Sequence, residues 1–209
     1  MRNVVLDIPA GRIHLVATDR TDAAAEVLPA DPSRSRDVQA AGRIEVTHAD
    51  GVLRIEAAKP EHRLLGSSGS VEVTVQLPAG SRVEARAAAA ELRGTGRLGD
   101  VTVEVAQGSI ELDEAATARL TLQAGDIVVG RLTGSAQLGT QQGDLRVAEA
   151  VATTGDLTLR TEGGDITVGA RTASLDAATA YGRIDNSLTG SGLVIHATTS
   201  RGDITARGL

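Results

Sequence analysis

Apolar and polar residues alternate along most of this chain, in short runs broken by glycine. Ile127-Val128-Val129, Leu145-Arg146-Val147 and Ile166-Thr167-Val168 each place their first and third residues on one face, because successive side chains of a strand point to opposite sides. A second alternating run follows some ten residues later in each repeat, as in Ala136-Gln137-Leu138, Leu157-Thr158-Leu159 and Leu193-Val194-Ile195-His196-Ala197. The apolar positions do not recur at i, i+3 and i+4, so the pattern predicts strands and no helix.

These runs are periodic. A glycine, then Asp, Ser or Arg, then Ile or Leu opens each unit: Gly108-Ser109-Ile110, Gly125-Asp126-Ile127, Gly143-Asp144-Leu145, Gly164-Asp165-Ile166, Gly182-Arg183-Ile184 and Gly202-Asp203-Ile204. Successive glycines lie 17, 18, 21, 18 and 20 residues apart. A fixed period near 18–20 residues marks a solenoid, whose single coil cannot bury its apolar face without a neighbour. Two strands per period, joined by glycine corners, predict coils stacked in parallel, with Ile110, Ile127, Leu145, Ile166, Ile184 and Ile204 forming one buried ladder. Ala90-Glu91-Leu92 falls one period earlier and fits a degenerate first coil. Seven coils at about 4.8 Å per stacked strand give a solenoid about 30–35 Å long.

The period is lost before residue 80, although strand patterns persist in Val4–Pro9, Arg12–Val16, Arg43–Val46, Val52–Ile55 and Val71–Leu77. Asp50-Gly51 is a hairpin turn between two of them. Pro29–Asp37, Lys59–Arg63 and Gly66–Gly69 read as polar loops. The expected organisation is therefore an all-β chain: an antiparallel β cap over residues 1–79, covering the open strand edge of a parallel β-solenoid over residues 80–209.

Composition fits a narrow interior. The chain has no Phe and no Trp, and its one aromatic residue is Tyr181. Layers of aliphatic side chains can fill a thin coil without the rings that most globular cores use. The net charge of −6 argues against nucleic acid, since binding phosphates needs a basic face. There is no Cys. Met1–Asp7 lacks the apolar run of a signal peptide, and no stretch approaches the roughly 18 apolar residues of a membrane span. A cytoplasmic protein that does not contact membrane is expected. One Lys against twenty Arg, with abundant Ala and Gly, suggests a GC-rich bacterial coding sequence.

The glycine-acid-aliphatic corners, the stretch Leu77-Pro78-Ala79-Gly80-Ser81-Arg82-Val83-Glu84 and the ending Thr199-Ser200-Arg201-Gly202-Asp203-Ile204 together resemble a bacterial β-strand-repeat domain family of unknown function, often labelled "putative adhesin". The likeness covers roughly residues 4–207. It implies a β-solenoid, and it supplies no catalytic residues to carry over. Ser109 and Arg183 depart from the usual Asp at the corner.

Candidate chemistry is sparse. Asp126, Asp144, Asp165 and Asp203 would stack at one corner, yet calcium β-rolls use a period of about nine residues with denser carboxylates. Asp after Gly is equally a turn signal, through bonds to its own backbone. His14, His48, His62 and His196 have no zinc-ligand spacing. Glu111, Asp113 and Glu114 are the densest acidic group, but alternation sets Glu111 and Asp113 on a solvated face. No cofactor, no metal and no enzymatic activity are expected. The function predicted is a non-catalytic scaffold or protein-interaction module that binds a protein partner or itself. The alternatives are an adhesive or carbohydrate-binding surface module and a polysaccharide-processing enzyme. The expected contact surface is the C-terminal end of the solenoid, with Tyr181 at an exposed corner and Arg201 and Arg207 beside it. Ile184, Leu188, Ile195 and Ile204 would form an open apolar layer there, unless Ser187–Gly192 folds across it.

Overall fold

The computed structural model describes residues 3–58, 69–151, 156–171, 174–188 and 194–208. Its centre is β6 (Arg82–Ala124), which bends through successive corners and feeds two parallel ladders. One ladder continues through β7 (Ile127–Leu132), β9 (Leu145–Ala150), β11 (Ile166–Ala170), β13 (Ile184–Leu188) and β15 (Ile204–Gly208). The other continues through β8 (Ala136–Gln142), β10 (Asp156–Gly163), β12 (Ser174–Tyr181) and β14 (Val194–Arg201). Chain order alternates between the ladders, so each coil contributes one strand to each, and the fold is a parallel β-solenoid.

The register reproduces the sequence period. Ile110 pairs with Ile127, Ile127 with Leu145, Leu145 with Ile166, Ile166 with Ile184 and Ile184 with Ile204. The first five of these six residues are fully buried. Ile204 departs from the expected ladder and is 46% exposed, because among the described residues β15 has a neighbouring strand on one side only. Leu120, Leu138, Leu159, Ala177 and Ala197 stack in the facing ladder. Next to the isoleucine column, Leu112, Val129, Val147, Val168 and Asn186 occupy equivalent positions. Asn186 is 2% exposed, and among the described residues neither its amide nitrogen nor its oxygen has a hydrogen-bond partner.

The first eighty residues are more closely woven into the solenoid than their pattern suggests. β1 (Asn3–Thr18) lies parallel to β6 along most of its length. On its other side it runs parallel to β4 (Val52–Ala57) through Asn3–Asp7, and to β5 (Val71–Pro78) through Gly11–Thr18. The start of the chain is thus a coil inserted between two coils that follow it in sequence. Among the described residues, antiparallel pairing is confined to β2 (Ala24–Pro29) on β5 and β3 (Ile44–Ala49) on β4, which together cover that end. The Asp50-Gly51 hairpin is present, with both residues at positive φ (52° and 75°), as a two-residue type I′ connection requires.

One expectation fails outright. Ser35–Ala41, at the end of the predicted polar loop, form a short helix, α1. Its Asp37 is buried and accepts the backbone N–H of Ser70 (2.9 Å), tying the helix to the start of β5. Just before the helix, Asp31 accepts the Ser33 hydroxyl (2.6 Å) and N–H (2.9 Å), which hold its carboxyl below the usual carboxylate range. The expected loops at 59–63 and 66–68 lie outside the described residues. No described helix is long and apolar enough to cross a membrane.

Because Ile166 is sealed between Leu145 and Ile184, Ile166→Ala empties a layer that its neighbours cannot collapse into. The expected loss is about 2–5 kcal/mol of unfolding free energy, read from denaturant titration. A loss below about 1 kcal/mol would mean that the layers are not rigidly stacked.

Candidate functional site

Every landmark glycine after Gly108 stands directly over the previous one. A Cβ at Gly143, Gly164 or Gly182 would collide with the carbonyl oxygen of Gly125, Gly143 or Gly164 respectively. Gly143 and Gly164 also hold φ at 136° and 153°, outside the range that L side chains favour. The corner therefore needs glycine for two separate reasons, close approach and backbone angle.

A corner turned this way leaves backbone groups to satisfy, and two side-chain columns do so. The Asp144 N–H donates to Asp126 Oδ1 (2.8 Å), the Asp165 N–H to Asp144 Oδ1 (2.8 Å) and the Arg183 N–H to Asp165 Oδ1 (2.7 Å). Each carboxylate thus holds the next coil, where the turn-forming reading had it bonding its own. Inside the corner, Thr140, Thr161, Thr179 and Thr199 donate their hydroxyls to the carbonyl oxygens of Gly125, Gly143, Gly164 and Gly182, at 3.1–3.3 Å. The described burials of Thr140, Thr161 and Thr179 are 4–6% exposure. This threonine column was not anticipated, although its signal is regular: Thr stands three residues before Gly143, Gly164, Gly182 and Gly202.

Two members of the acidic group on β6 are likewise committed to neighbouring coils. Glu111 pairs with Arg93 (3.5 Å), and Asp113 accepts the Gly96 N–H (3.1 Å). Among the described residues, no three His, Cys, Asp or Glu side chains converge as metal ligands.

Tyr181 stands in a column of paired corner residues. Ala124 pairs with Gln142, Gln142 with Gly163, Gly163 with Tyr181 and Tyr181 with Arg201. Tyr181 is 62% exposed, and the Arg201 guanidinium from the next coil sits 6.0 Å from its ring centroid. Arg183 and Asp203 occupy the aspartate column beside this pair, both exposed. Among the described residues neither Arg201 nor Asp203 enters an ion pair. Arg207 lies on β15 with its backbone opposite Ser187. Its side chain lies outside the described residues, as do those of Leu188 and Ile195 and the segment 189–193. Tyr181, Arg201, Asp203 and Ile204 thus gather at one exposed corner of the last two coils.

The aspartate column makes two linked predictions. Asp144→Ala removes the acceptor for the Asp165 N–H and should cost about 1 kcal/mol, whereas Asp144→Asn keeps an acceptor oxygen and should cost less than half as much. A chelator, or added Ca²⁺, should leave the melting temperature unchanged, since the carboxylates already serve backbone donors. A Ca²⁺-induced rise of several degrees would instead identify a cation site.

Among solved structures, the chain resembles a "putative adhesin" from Bacteroides fragilis, with 18% identity, a TM-score of 0.55 and coverage of 100% of this chain and 92% of that one. A "putative adhesin" and a "putative lipid binding protein", both from Parabacteroides distasonis, align with TM-scores of 0.48 and 0.45 at 16% and 12% identity. In each of these two cases the alignment covers 100% of this chain and 92% of the other. At 18% identity the likeness to the Bacteroides fragilis structure concerns the fold. No curated protein matches the chain. The family model described as Toastrack DUF4097 matches residues 1–208, in line with the resemblance carried by the corners, and the chain belongs to that family.

Proposed function

We propose that this protein is a non-catalytic β-solenoid module that binds protein, and that it associates with itself through the C-terminal end of the solenoid. The observation that carries this reading is the cluster of exposed Tyr181, Arg201 and Ile204 beside two strand edges at the C-terminal end. At the N-terminal end the edge strands are antiparallel β2 and β3, each with one neighbouring strand among the described residues. At the other, β14 and β15 each have a strand on one side only among the described residues, and Ile204 is 46% exposed. Unpaired strand edges present rows of N–H and C=O groups that template another chain. The exposed aromatic and arginine at the adjacent corner are residue types enriched where interface energy concentrates.

A closed two-fold dimer follows from this arrangement, because an end that meets its own copy leaves no repeat of the contact to propagate. Sedimentation equilibrium at micromolar concentration should report a dimer. Ile204→Lys, an exposed position, should shift the protein toward monomer without changing its far-ultraviolet circular dichroism. A native protein that stays strictly monomeric and soluble would overturn the reading.

A further inference from the structure

We propose a specific geometry for that association: a two-fold axis parallel to the strands, passing through the corner at Gly202, that sets Arg201 of each copy against Asp203 of the other. The proposal rests on the self-association reading and goes beyond it by fixing the axis and the pairing residues.

The topology restricts the choices. β14 runs into the corner and ends at Arg201, and β15 leaves it from Ile204. A two-fold axis along the strand direction therefore lays β14 of one copy antiparallel to β15 of the other, and the reverse, so that one operation covers both open edges. A two-fold axis perpendicular to the strands would also give antiparallel edges, but it would carry this corner to the opposite side of the solenoid. Charge decides between them. Arg201 and Asp203 flank Gly202 on either side, and both are exposed without an ion-pair partner among the described residues. Only the axis through the corner exchanges their positions, converting one intrachain dipole into two complementary contacts.

The corner also suits close approach. Within the solenoid, glycine meets glycine at every corner of this column from Gly108 onward, because a Cβ there would strike the neighbouring carbonyl. Gly202 on the axis would meet its own copy in the same side-chain-free fashion. In the inner coils, the Asp126, Asp144 and Asp165 carboxylates accept a backbone N–H from the next coil. Asp203 has no next coil among the described residues, and the arginine of a second copy would supply its donor. Arg201 can keep its position beside the Tyr181 ring while doing so, since a guanidinium presents donors at its edge and stacks through its face.

The test is a charge-reversal cycle followed by sedimentation equilibrium. Arg201→Asp and Asp203→Arg should each weaken dimerisation by about tenfold or more, because symmetry turns two attractions into two repulsions. The double variant R201D/D203R should return to within about threefold of the native dissociation constant. Asp203→Arg leaves the Tyr181–Arg201 contact intact, so its effect cannot come from losing that contact. The double variant lacks the native ring contact, so its recovery cannot come from the ring. A native dimer indifferent to both reversals would overturn this axis and leave self-association standing. Weakened single variants that the double variant fails to rescue would also overturn the pairing. A monomeric native protein would remove the self-association reading and this geometry together.

Discussion

Stacking one coil per strand spacing forces the chain to turn where the backbone of the previous coil already occupies the space a Cβ would need. At Gly143, Gly164 and Gly182 the obstruction is the carbonyl oxygen of the glycine below. Glycine solves the steric problem and creates a polar one, because a corner carbonyl that no ladder uses must be satisfied within the wall of the core. Threonine hydroxyls meet that need from inside, while aspartate carboxylates receive the corner N–H groups from outside. The unit Thr-x-x-Gly-Asp is therefore one structural device. Its three residues make sense only when coils above and below are present.

The parts of this fold that could be read from sequence are those enforced by repetition. Gly143, Gly164 and Gly182 are legible because no other residue fits there, and Ile127, Leu145 and Ile166 because a buried ladder tolerates only apolar side chains. The Tyr181–Arg201 corner was legible for the same reason, through its spacing from the glycines. The layering of β1 was not legible. Alternation defines a strand's faces but carries no record of its direction or its partners, and β1 pairs with segments beginning at Val52, Val71 and Arg82. The helix at Ser35–Ala41 was hidden as well. It is too short to show a helical period, and its anchor is a contact from Asp37 to Ser70 across 33 residues. The threonine column was visible in spacing but carried no meaning until the corner carbonyl it serves was located.

Stability is not distributed evenly along such a stack. In the isoleucine ladder the layers are equivalent, but the companion columns thin toward the C-terminal end. Leu120, Leu138 and Leu159 give way to Ala177 and Ala197, and Val168 gives way to Asn186. A buried amide without partners costs about 1–3 kcal/mol, and a lost isobutyl group removes much of a layer's apolar area. In a quasi-one-dimensional array, such terms lower the cost of detaching the terminal coils relative to opening the middle. The end proposed to meet a second copy is thus the end whose own interior contributes least.

The lack of Phe and Trp has a consequence for how this molecule can be seen. With Tyr181 as its sole aromatic ring, the protein's near-ultraviolet absorption and emission originate almost entirely at one exposed corner, within 6.0 Å of the Arg201 guanidinium. The interior is optically silent. The single intrinsic fluorophore is instead a resident reporter on the last two coils, sensitive to whatever approaches that corner.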